Sequence, residues 1–162
     1  ISTHQSPFYP GTGLAHERGH GDAEGTTINV PLPSGTGDAA YSRVYREILR
    51  PHALRFKPEL IVLSAGYDAH WKDLLGGMRV STRGFAEIIR EVQEWAQLCC
   101  NGRVVALLEG GYHVDALAEC VAATVSVMHD PAADVVDVFG APPGSDLDVD
   151  DYLKDVAAFL GE

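Results

Sequence analysis

The chain has no apolar run approaching the roughly 20 residues that a membrane-spanning helix needs, and no signal-peptide pattern at its start. Basic side chains are few: 12 Lys and Arg against 23 Asp and Glu leave a net charge of −11, with excess acid gathered after Asp130. Nucleic acid is therefore a poor partner, because phosphate binding needs clustered Lys and Arg. The acidic balance suits a cationic substrate, and equally a solvated tail. Cysteine is scarce too. Cys99, Cys100 and Cys120 lack metal-site spacing and read as reduced, packed thiols of a cytoplasmic protein. There is no Gly-x-Ser-x-Gly nucleophile elbow and no phosphate-binding P-loop. Methionine is absent before Met78 and the chain opens inside a strand-like segment, so we expect it to be part of a longer protein.

What is present is the balance of a single globular domain: 162 residues, 46% of them hydrophobic and 22% charged. Residues 1–4 and the apolar run 26–32 are strand candidates separated by a Gly-rich loop. Asp38 is placed to N-cap a helix carrying Tyr41, Val44, Tyr45, Ile48 and Leu49 on one face, which Pro51 should kink or end. Residues 60–64 and 104–108 are continuous apolar runs and predict two buried strands. Between them, Ser81 or Thr82 can cap a helix whose Phe85, Ile88, Ile89, Val92 and Trp95 repeat at helical spacing until Gly102. A further helix carries Leu117, Val121 and Val125, residues 131–143 read as a surface loop, and residues 150–160 as a short terminal helix. Strand, helix, strand, helix with short connections is a βαβ pattern, so the two strands should be parallel in one sheet.

Ligand sites in parallel α/β sheets gather at the carboxyl ends of the strands. Two loops leave those ends here, Ser64-Ala65-Gly66-Tyr67-Asp68-Ala69-His70 and Glu109-Gly110-Gly111-Tyr112, and parallel topology puts both on one edge. Their glycines permit tight turns or close backbone approach. On spacing alone Asp68 is equally a helix cap or surface carboxylate, and Tyr112 a packing residue at a helix start.

The wording of several segments narrows this. Ser2-Thr3-His4-Gln5 with Phe8-Tyr9-Pro10-Gly11-Thr12-Gly13, Ile28-Asn29-Val30-Pro31-Leu32, Leu63 through His70, and Leu108-Glu109-Gly110-Gly111-Tyr112 together resemble the histone deacetylase superfamily. They look most like its bacterial, class II-like members, from residue 1 to about Met128, in the family's order and spacing. The resemblance implies a three-layer α/β/α fold with a mostly parallel sheet, of the arginase/deacetylase kind. Residues 1–130 would be the C-terminal part of the catalytic domain, and 131–162 its acidic loop and terminal helix. It implies zinc-dependent removal of an acetyl group from acetyl-lysine or an acetylated polyamine. Asp68 matches a zinc-ligating aspartate, and Tyr112 the tyrosine whose hydroxyl donates to the substrate carbonyl oxygen as it becomes an oxyanion. Tyr9 and Leu75 match walls of the acetyl-lysine tunnel, and Gly110 a position where the backbone approaches substrate. Ser2 and Thr3 match positions that help hold a structural monovalent cation, K⁺. The family's paired catalytic histidines and its other zinc ligands are expected upstream of Ile1, so this chain alone is expected to be inactive and to require its N-terminal half. Leu74 departs from the proline usual at its position.

Two other readings stand beside this one. His16-Glu17-Arg18-Gly19-His20 spells HExxH, a metalloprotease motif that requires a helix, but the surrounding glycines favour a loop. A catalytically dead deacetylase-like module used for binding or assembly is the non-enzymatic alternative. His70, close to Asp68, invites a ligand role, although an exposed or supporting histidine is the plainer expectation. Tyr41, Tyr45 and Trp95 read as core. Half of such a sheet would leave an unpaired edge and an uncovered apolar face, so self-association is expected.

Overall fold

The computed structural model describes residues 1–161. Strand β1 (Ser2–Gln5) pairs in parallel with β2 (Asn29–Leu32), from Ser2 opposite Asn29 to Gln5 opposite Leu32. Helix α1 (Asp38–Arg43) continues through a π-helical stretch, Val44–Leu49, into α2 (Arg50–Phe56). Strand β3 (Ile61–Gly66) is followed by the long helix α3 (Thr82–Cys100), strand β4 (Val104–Gly110) and helix α4 (Val114–His129). Helix α5 (Asp150–Leu160) closes the chain. β3 and β4 are parallel neighbours, as the βαβ pattern predicts, and their register slips by one residue at Ala65/Gly66.

Several local expectations needed correction. Asp38 is the first residue of α1 rather than its cap, which is Gly37. The Asp38 carboxylate instead reaches across to the start of α3, accepting from the Ser81 backbone N–H at 2.7 Å and the Ser81 hydroxyl at 2.5 Å. Ser81 in turn caps α3 by accepting from the Gly84 N–H at 3.1 Å, so one short chain of bonds fixes two helix starts. Pro51 does not end its helix. It sits in the first turn of α2, just after the π-helical stretch, where a missing N–H costs least.

The core gathers Val30, Leu32, Val44, Leu49, Val80, Phe85, Val92 and Trp95 with Leu153, Val156 and Leu160 of α5. β3 and β4 are not buried on both faces as their apolar runs suggested. Ile61, Leu63, Ala65 and Val104 pack inward, whereas Val62 is 57% and Leu107 52% exposed, with Val105 beside them. The period of two places successive side chains on opposite faces, and no described element covers the outer one. Residues 131–149 form neither helix nor strand, yet they are laced to α3 and its approach. Arg90 donates to the carbonyls of Pro131 and Ala133, Arg83 to Val135, and Arg79 to Pro143 and the Asp146 carboxylate. Among the described residues no helix is long and apolar enough to cross a membrane.

Candidate functional site

The loops after β3 and β4 leave the same sheet edge and are bonded to each other, the Tyr67 N–H donating to the Gly110 carbonyl at 2.9 Å. Asp68 follows Tyr67 and lies against the β4 loop. A methyl group on Gly110 would stand 2.9 Å from Asp68 Oδ2, and one on Gly66 3.4 Å from Oδ1. The two glycines thus leave a slot for the carboxylate. Gly111 answers a different need, turning the chain at φ +129°, where other residues are strained. Burial pushes the Asp68 carboxyl above the ordinary aspartate range, and the nearby Asp73 charge adds to this, against the pull of the Asp68 and Ala69 backbone N–H groups.

A cleft of about 540 Å³ opens beside Asp68. Thr3, Tyr9, Asp68, Leu75 and Tyr112 all line it, with Phe8 and Met78 adding apolar wall. Tyr9, Leu75 and Tyr112 are exposed, so they stand at the mouth, while Asp68 is half-buried. Ser2 does not line the cleft; its hydroxyl bonds His4 Nδ1 at 2.9 Å. Gly110 contributes by making room for Asp68 rather than as a wall. Tyr41 and Trp95 are core residues as expected. Tyr45 stacks on Trp95 with ring centres 5.6 Å apart, and Tyr41 and Tyr45 also floor the cleft.

Residues 1–128 match the family model described as the histone deacetylase domain. The chain belongs to the histone deacetylase family. It is 50% identical over 115 residues to a protein named "Probable deacetylase" from Archaeoglobus fulgidus, a match covering 71% of this chain and 32% of that one. It is 40% identical over 116 residues to the human polyamine deacetylase HDAC10, covering 70% of this chain and 17% of the relative. The HD domain of HDA15 superposes with a TM-score of 0.73 at 30% identity, covering 85% of this chain and 39% of that one. The chain spans about a third of the length of the first of these relatives, and its α/β architecture is that of the deacetylase fold.

Within that family the residues present fit part of a zinc site. The Asp68 carboxylate is half-buried, borders the cleft, and is a hard oxygen donor of the kind zinc accepts. Among the described residues no three His, Cys, Asp or Glu side chains converge, so these residues alone do not make up a zinc site. The triplet Asp68-Ala69-His70 spells Asp-x-His, but His70 does not join it. It is 1% exposed, and burial lowers its pKa. Nδ1 accepts from the Lys72 N–H at 3.1 Å, Nε2 meets the Thr82 hydroxyl at 3.3 Å, and the ring stacks with Phe85. The expectation of an exposed or supporting histidine is thus corrected to a packed core residue.

The HExxH segment is not helical. Glu17 turns back to accept from the Gly13 and Leu14 N–H groups at 3.0 and 3.3 Å, and the Gly13 bond leads in lowering its pKa. Gly19 adopts φ +102°, outside the helical region, so His16 and His20 are not set on one helical face.

Sequence reasoning missed two residues here. Asp73 is 4% exposed, with its carboxylate turned to the Tyr112 and His113 backbone N–H groups, at 2.6 and 3.2 Å. His113 caps α4, Nδ1 accepting from the Ala116 N–H at 3.2 Å. Neither had a local signal: Asp73 is one acidic residue among many, and histidine is not a favoured cap.

Proposed function

We propose that the protein containing this chain is a zinc-dependent amidohydrolase that removes acetyl groups from acetyl-lysine or acetylated polyamines. The observation that carries this reading is the shared cleft: Asp68 and Tyr112 line one cavity with Tyr9 and Leu75. Asp68 would be one zinc ligand. Bound zinc would supply Lewis acidity toward the acetyl carbonyl and the attacking water. Tyr112 would donate its hydroxyl proton in a hydrogen bond to the carbonyl oxygen as negative charge develops there. Tyr9 and Leu75 would hold the apolar arm of the acetylated amine, whose cationic relatives the net charge of −11 suits, while Gly110 keeps room for Asp68 rather than touching the substrate.

The histidine general base and the remaining zinc ligands would come from the N-terminal half of the domain, with residues 1–130 as the C-terminal part and 131–162 as acidic loop and terminal helix. The core position of α5 supports counting that tail in the same domain. For K⁺, the Ser2 hydroxyl bonds His4 and the Thr3 hydroxyl meets Tyr45 at 3.3 Å, and each keeps a lone pair beside the backbone oxygens. No step depends on it. Three free thiols favour a reducing compartment, the cytoplasm by our reading, and nucleic acid and membrane are not proposed as partners.

The test is Tyr112→Phe in the full-length protein, assayed on an acetyl-lysine peptide and an acetylated polyamine. Deacetylation should fall to a small residual rate while zinc stays bound; unchanged turnover overturns the mechanism. In the same preparation Asp68→Ala should lower zinc content and His16→Ala should not, the reverse result reviving the protease reading. A second reading, a deacetylase-like module used for assembly, is favoured by the exposed apolar strand face. A full-length protein that binds no zinc and turns over neither substrate would select it.

A further inference from the structure

The Asp73 carboxylate is buried among backbone donors from two loops. Oδ2 accepts from the Tyr112 N–H at 2.6 Å and the His113 N–H at 3.2 Å, and Oδ1 from the Leu75 N–H at 3.1 Å. Tyr112 begins the exit from β4 and Leu75 belongs to the exit from β3, so one side chain binds the two halves of the cleft mouth. Charge-assisted bonds of this kind are roughly twice as strong as neutral ones, and a carboxylate this buried is costly to desolvate unless such donors meet it. Tyr112 has an exposed side chain that packing holds little, so the Asp73 bond to its N–H is what fixes the backbone from which it projects.

We infer that Asp73 is a positioning residue for the deacetylase reaction, acting through the backbone of Tyr112 to aim its hydroxyl and through Leu75 to hold the opposite wall. His113 extends the device. The same carboxylate that holds its N–H sits beside the ring that caps α4, so the hinge between β4 and α4 is fixed on both sides. Asparagine cannot replace the carboxylate, because whichever way it turns, its NH₂ faces a backbone donor.

This inference rests on the proposed deacetylase reading, and two measurements separate their failures. The first is a double-mutant cycle in the full-length protein. Asp73→Asn should lower kcat by about 10- to 100-fold with KM changed less than about 3-fold, the signature of a group misplaced in the transition state. In a Tyr112→Phe background the same substitution should cost no more than about 2-fold, because its route to the chemistry is already cut. Equal losses in both backgrounds assign Asp73 a merely structural role and overturn the inference. The second needs neither activity nor a folded variant: amide hydrogen exchange on the unsubstituted protein. The Tyr112 and His113 amides, which precede the first turn of α4, should exchange at least about 10-fold more slowly than the solvent-facing loop amide of Leu74. Rapid exchange at both sites overturns the clamp whatever the protein catalyses. Slow exchange in a protein without deacetylase activity overturns only the functional reading.

Discussion

The backbone of Gly110 passes so close to Asp68 that a methyl group there would lie 2.9 Å from Oδ2 and 3.4 Å from the carboxylate carbon. Both neighbours are held from behind: Asp68 follows Tyr67, whose N–H is bonded to the Gly110 carbonyl. The Asp68 carboxylate, the end of a side chain that borders the cleft, is the group that would have to yield. Gly110→Ala should therefore leave the fold intact and displace Asp68. We expect deacetylase kcat/KM of the full-length protein to fall about 100-fold, the scale of loss that a misplacement near 1 Å produces, together with weaker zinc binding by equilibrium dialysis. An alanine variant with undiminished activity and zinc content would show that the slot is not needed.

Ser81 is both the cap of α3 and the partner of Asp38. Ser81→Ala removes the bond to the Gly84 N–H and leaves the Asp38 carboxylate with a single donor. Loss of a helix cap costs about 1–2 kcal/mol, a lowering of the melting temperature of about 2–4 °C per kcal/mol in a domain of this size. Differential scanning calorimetry reads it directly. Ser81→Thr, which can keep the cap, should recover most of the loss.

Cys120 is fully buried, and burial pushes its thiol up to about 12 from an ordinary value of 9.0. Tyr41, Tyr45, Tyr67 and Tyr152 are raised for the same reason. Each of these groups gives up its proton more readily in the unfolded chain. The folded state binds more protons through the alkaline range, and stability must fall as pH rises. For Cys120 that window runs from 9.0 to about 12. Urea denaturation at about pH 8 and about pH 10.5 should show a lower midpoint at the higher pH, with Cys120→Ala reducing the difference. A midpoint independent of pH across that range would contradict the burial of these groups.

Val62 stands opposite Val105 and Ser64 opposite Leu107 on the outer face of β3 and β4, presenting apolar surface to solvent. The isolated chain should associate through it. Multi-angle light scattering should give a mass above that of one chain, 17.4 kDa, and the pair Val62→Lys with Leu107→Lys should shift it toward monomer. A monodisperse monomer before substitution would show that this face does not drive association.

Much of the site was legible in the sequence because parallel topology is a strong constraint. Once 60–64 and 104–108 were strands in a βαβ unit, the loops bearing Asp68 and Tyr112 had to leave one edge, and they do. Ser81 was legible because its oxygen, the Gly84 N–H and the apolar period of α3 agree. What could not be read was the work of side chains far from their partners in sequence. Asp38 is bonded to a residue 43 positions away, and Asp73 to one 39 positions away. The exposed faces of β3 and β4 were hidden by composition: an unbroken apolar run has no alternation to report which side is covered. His70 misled in the other direction, since a polar letter near a candidate ligand gives no sign that Phe85, Trp71 and Phe139 enclose its ring.

Residues 131–149 look like the place to cut, being rich in Ala, Asp and Pro and free of helix or strand. A truncation there would strand three guanidinium groups of the α3 region, which now spend their donors on carbonyls of that segment. It would also take Gly140 from the Trp71 indole, three residues beyond Asp68, and strip Leu153, Val156 and Leu160 from the core. For anyone preparing this protein, the end of the family match at residue 128 is therefore the wrong place to stop: the tail serves as a strap across α3 and the loop after β3, and trimming it would loosen the approach to the cleft.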